Sequence, residues 1–82
     1  MTIADKVNEY LVIKSSIRNV KTIQRKMQLK ELLYEKYDNA YLEEERLKYI
    51  NASKKDIKEA HNRQKKMLKY INKLNNVKIK ND

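Results

Sequence analysis

His61 is the one imidazole in a chain without cysteine, and it opens any search for chemistry. Its sequence neighbours Glu59 and Asn62 do not share its face of a helix, because residues one or two apart point in different directions. A metal centre needs several converging ligands, and no others fall at ligand spacing. Glu31 and Glu35 stand at i, i+4, so their carboxylates would adjoin, but Lys30 and Lys36 flank them. Acid–base work needs such groups in a dry cleft that pushes their pKa values apart. A glycine-rich phosphate loop cannot form, since the chain has no glycine. Without a thiol there is no cysteine nucleophile, thiolate zinc site or disulfide. No catalytic residue, metal ligand, cofactor site or small-molecule substrate is assigned, and a non-enzymatic protein is expected.

What the chain has instead is charge. Lysine and arginine number 20 against 11 acids, a net charge of +9. Lys14, Arg18, Lys21 and Arg25 recur at i, i+4, i+7 and i+11, one stripe on a continuous helix. Lys58, Lys65, Lys69 and Lys73 point away from an apolar series further on, with Arg63 and Lys66 nearby. Such a surface fits a polyanion, and nucleic-acid phosphates are the candidate partner. Most of these cations are lysines, whereas bidentate phosphate and base contacts favour arginine. The excess of Lys, Asn, Ile and Tyr also matches A/T-rich codons, the character of a small accessory protein of a phage or mobile element. On that reading the lysines form a solvated face that maintains solubility.

Tyr34, Tyr37 and Tyr41 lie at i, i+3 and i+7, with Tyr49 beyond. Tyrosine joins a large apolar ring to a polar tip and is enriched at protein interfaces. Acids surround this strip, which disfavours phosphate, so it reads as an interface for a protein partner. Residues 34–38, Tyr-Glu-Lys-Tyr-Asp, also resemble the Tyr-x-x-x-Asp/Glu signal of type VII secretion substrates, which are small helical hairpins. That family's Trp-x-Gly turn has no counterpart here, and nothing is carried over from it.

The elements that must position these residues are helices. With neither glycine nor proline, few turns are available, and Asn, Asp and Ser must make them. Thr2 with Asp5 has the spacing of a capping box. Ile3, Val7, Tyr10, Ile13, Ile17, Val20, Gln24 and Met27 then follow at threes and fours, with a break near residues 14–16 as the alternative to a continuous helix. Asp38 and Asn39 suggest a turn at 37–40, because Asn tolerates the left-handed conformation and three glutamates follow. Ser53 with Asp56 marks the next helix start, and Ile57, Ala60, Gln64, Met67, Ile71 and Leu74 form its buried series, flanked by Leu68.

The expected fold is all-α, a long antiparallel helical hairpin or three-helix bundle, with helices at 3–37, 40–50 and 54–76. Residues 1–77 form one helical domain and 78–82 a flexible basic tail. Coiled-coil-like packing is expected, and a homodimer, because two helices alone enclose no core. A turn at 38–39 would bring acids together at one tip above a positive body. No apolar run approaches the roughly 18 residues of a membrane span, and the first residues lack a signal peptide's pattern. A cytoplasmic protein that docks helical faces on a partner, as a regulator, inhibitor or adaptor, is the leading expectation. Binding to nucleic acid is the alternative, and membrane binding is not expected.

Overall fold

A computed structural model describes residues 3–79. Three helices fill it: α1 Ile3–Arg18, α2 Ile23–Tyr49 and α3 Lys54–Asn75. Thr2, the expected first cap, lies outside the described residues. The bundle measures 52 × 23 × 15 Å. No strand occurs among the described residues, so the all-α expectation holds.

Two boundaries differ from the sequence reading, and both have local causes. The first helix does not run from 3 to 37. It stops at Arg18, and α2 begins after Thr22, whose extended backbone (φ −129°, ψ 153°) makes it an N-cap. Its hydroxyl accepts a hydrogen bond from the Arg25 N–H at 3.1 Å, which satisfies one of the open donors of the first turn. The reverse turn at 19–22 buries Val20 in the core and so keeps the apolar rhythm going through the break. That is why spacing alone does not reveal it.

The second difference is at Asp38 and Asn39. No turn forms there, and there is no separate 40–50 helix, because α2 passes straight through to Tyr49. The residues that decide this face inward. Leu29, Leu33, Ala40 and Glu44 are buried along one side of α2, so its packing on α3 continues past residue 40. Exposed Asp and Asn cost a helix only about 0.7 kcal/mol each relative to Ala, less than the burial gained. The left-handed asparagine exists, but it is Asn51, with φ 55°. There the Ala52 N–H reaches the Leu47 carbonyl at 2.9 Å and the Asn51 N–H the Lys48 carbonyl at 3.2 Å. These two bonds are the paired closure of a helix end that glycine usually supplies. The α2–α3 turn is thus at 50–53.

The third helix starts where expected. Ser53 caps it, accepting from the Asp56 N–H at 3.2 Å. Ala60, Gln64, Met67, Ile71 and Leu74 are buried. Antiparallel α2 and α3 make the main hairpin, and α1 lies along part of one side. The core gathers Ile13, Ile17 and Val20 from the first third of the chain, Leu29 and Leu33 from α2, and Met67, Tyr70, Ile71 and Leu74 from α3. Val77 and Ile79 rest against it beyond α3. Each fully buried side chain of this size contributes about 1.5–3 kcal/mol over its exposed state.

Candidate docking surface

Polar contacts position α1 as much as apolar ones do. Glu9 accepts from Lys36 of α2 and from Arg63 of α3, both at 2.9 Å. Burial works to raise the pKa of this carboxyl, but the two cations outweigh it and hold it below the ordinary value. One carboxylate therefore pins α1 to both arms of the hairpin. Beside it, Tyr10 and Tyr70 pack with ring centroids 6.0 Å apart. Lys66 lays its ammonium over both rings, at 5.2 and 5.9 Å, an attraction to the negative π faces. Burial, helped by Tyr10, raises the Tyr70 phenol pKa and keeps it neutral.

His61 meets α2 through the third glutamate contact. Its Nδ1 lies 3.0 Å from one carboxylate oxygen of Glu44, which is buried, and Lys48 lies 3.5 Å from the other. The His61 hydrogen bond is the main cause of a lowered Glu44 pKa. This is a tie between α2 and α3. Among the described residues no three His, Asp or Glu side chains gather into a metal-binding group.

The basic candidates divide into two sets. Arg63 and Lys66 are half-buried and engaged, as described. Lys14, Arg18, Lys21, Arg25, Lys65, Lys69 and Lys73 are exposed and make no ion pair among the described residues. Lys58 is exposed near the start of α3. The break at 19–22 means that Lys14, Arg18, Lys21 and Arg25 do not share one helical stripe; they wrap the turn between α1 and α2. Lys26 donates to the Val77 carbonyl at 2.8 Å, so the start of α2 lies beside the end of α3. Residues 14–30 and 60–79 contain no acid, and the fold places them together. Without a turn at 38–39 the acids do not gather at a tip there, and a positive pole stands at the α1–α2 turn.

The tyrosines also separate. Tyr37 packs half-buried against the core, and Tyr49 is exposed at the end of α2. Tyr34 and Tyr41 remain on the outside at 43 % and 49 % exposure. The continuous α2 adds residues that the tyrosine pattern alone did not include. Met27, seven residues before Tyr34, is 60 % exposed, and Ile23, one turn earlier, is 50 % exposed. Lys36 is two residues past Tyr34, hence on nearly the opposite side of the helix, and that side faces α1. Leu68 of α3, 43 % exposed, stands seven residues after His61 and shares the side that reaches α2 at Glu44. Ile23, Met27, Tyr34, Tyr41 and Leu68 thus form an apolar strip on the outside of the hairpin, away from α1.

A groove of about 780 Å³ opens among the three helices beside the first half of α1, lined by Lys6, Tyr10, Glu43, Leu47, Asp56 and Glu59 among others. Its lining mixes both signs, and Lys6 pairs with Glu59 at 3.6 Å. It lacks the convergent polar set of a small-molecule site.

Among the described residues these features define an all-α three-helix protein with an apolar outer strip on α2 and a basic pole. Comparison adds no relative, since no protein-family model, curated protein or solved structure matches the chain. No helix among the described residues is long and apolar enough to cross a membrane.

Proposed function

We propose that this protein is a small non-enzymatic binding module, a regulator or adaptor, that docks the outer face of α2 on a helical surface of a protein partner. The observation that carries the reading is the strip Ile23, Met27, Tyr34 and Tyr41, with Leu68 beside it, exposed on the side of α2 turned away from α1. Single exposed apolar residues are ordinary, but a row of them at helical spacing is the pattern that a partner helix covers. Tyr and Met suit the role, the one as a rigid amphipathic anchor and the other as an adaptable filler.

A photo-reactive phenylalanine analogue placed in turn at Tyr34, Tyr41, Lys58 and Asn72 tests this in living cells. A discrete protein adduct is expected from positions 34 and 41 and not from the two exposed control sites. Adducts of equal yield at all four sites, or none at 34 and 41, would refute it.

A second reading draws on a separate observation, the acid-free pole at the α1–α2 turn. Lys14, Arg18, Lys21 and Arg25 suit contact with the phosphates of nucleic acid. No tyrosine of the strip lies within that run of sequence, so the contact reads charge rather than bases.

A further inference from the structure

We propose that the first half of α1 is a releasable strap: residues 3–12 lift off the hairpin as a unit, while Ile13 and Ile17 keep the second half docked, and the lift uncovers Tyr70. This motion is separate from the docking of the outer face of α2.

The two halves of α1 are held by different means. Ile13 and Ile17 are buried in the core, and Val20 follows them in the turn. None of residues 4–12 is buried, and Val7, Leu11 and Val12 are exposed. What ties this half down is mostly polar: Glu9 on Lys36 and Arg63, Lys6 on Glu59, and the Tyr10 ring against Tyr70 and the Lys66 ammonium. Grooves open on both of its flanks. The one of about 780 Å³ runs along Lys6 and Tyr10, and a second of about 450 Å³ runs along Asp5, Asn8, Glu9 and Val12. A segment with few buried apolar contacts opens locally at a lower free energy than the core does.

The docked strap also leaves two polar atoms short. The second carboxylate oxygen of Glu9 and the Tyr70 hydroxyl are both buried without a hydrogen-bond partner among the described residues. A polar group buried and unpaired carries a free-energy penalty that contact with water removes. Glu9 belongs to the strap, and Tyr70 packs against its Tyr10. Lifting the strap returns both atoms to water, so the step that breaks the Glu9 ion pairs also relieves two penalties. No other buried side-chain atom among the described residues is left unpaired, so this offset is local to the strap. It narrows the gap between the closed and the open arrangement there and nowhere else.

Amide hydrogen exchange of the full chain, followed by NMR at rising urea, is the test. The N–H groups of residues 7–12 bond within α1, so they exchange when it opens. They are expected to exchange at least about tenfold faster than those of Met67, Tyr70 and Ile71. They should also share one urea dependence, smaller than that of α3, because the lift exposes less surface than global unfolding does. Glu9→Gln keeps the shape and removes the charge, and should speed exchange at residues 7–12 by about tenfold more. Molar salt should speed it in the wild type and have little effect in the variant. Residues 7–12 exchanging as slowly as α3, or showing no protection at all, would overturn the proposal. So would protection graded residue by residue from 7 to 12, which is end fraying, or a Glu9→Gln variant that exchanges like the wild type.

Discussion

Leu33→Ala is expected to lower the unfolding free energy by about 3 kcal/mol. Leu33 is fully buried in the core that α2 and α3 share, and it belongs to the same cluster as Ile13 and Ile17 of α1. Truncation leaves a cavity that touches more than one helix, and a thin bundle has little material with which to refill it. The effect is large because small domains have a total stability of only about 5–15 kcal/mol, and a chain this short buries a modest share of its surface. Leu42→Ala, on the same helix at 62 % exposure, should change stability by less than about 0.5 kcal/mol. Urea unfolding followed by circular dichroism measures both. Equal effects at the two positions would mean that α2 does not present the inner face described.

The second large effect concerns the pole. Each phosphate neutralised on duplex DNA contributes about −0.9 to the slope of log affinity against log salt. Replacing Lys14, Arg18, Lys21 and Arg25 together by Ala is expected to reduce the steepness of that slope by about three to four. The loss should be similar for unrelated sequences, because phosphates carry no base information. These four side chains are exposed and make no ion pair among the described residues, so the fold should survive the change. Fluorescence anisotropy of labelled duplex at several salt concentrations gives the slope. An unchanged slope, or no binding by the wild type even at low salt, would reduce the positive pole to a device for solubility.

The third helix was legible because three signals coincide there. Ser53 and Asp56 mark its start, the apolar residues keep one phase, and all of that series but the half-buried Ile57 is buried, with Tyr70 the one core residue of α3 outside it. The first two helices were not, for opposite reasons. At 19–22 the rhythm continues through a real turn, since Val20 is buried within it. Thr22 caps without the acidic partner of a capping box, as Arg25 occupies that position. At 38–39 the rhythm that ends is that of the outer strip, while the inner one continues through Ala40 and Glu44. A buried glutamate does not look like core in a sequence. It is bonded by His61, 17 residues away, just as one oxygen of Glu9 is bonded by partners 27 and 54 residues away.

The candidate surface was partly legible for the same reason. Tyr34 and Tyr41 were visible as an interface pair, but Tyr37 belongs partly to the core. Ile23, Met27 and Leu68 join the strip only once α2 is continuous and α3 lies beside it. The basic stripe likewise changed from a line on one helix to a pole around a turn, because its spacing spans the break.

The most direct test of the outer face as the docking surface is photo-crosslinking in living cells from Tyr34 and Tyr41 compared with Leu11 and Val12, which are also exposed but lie on α1. The account predicts a discrete protein adduct from positions 34 and 41 and none from positions 11 and 12. Adducts confined to the α1 positions, or none from 34 and 41, would contradict it.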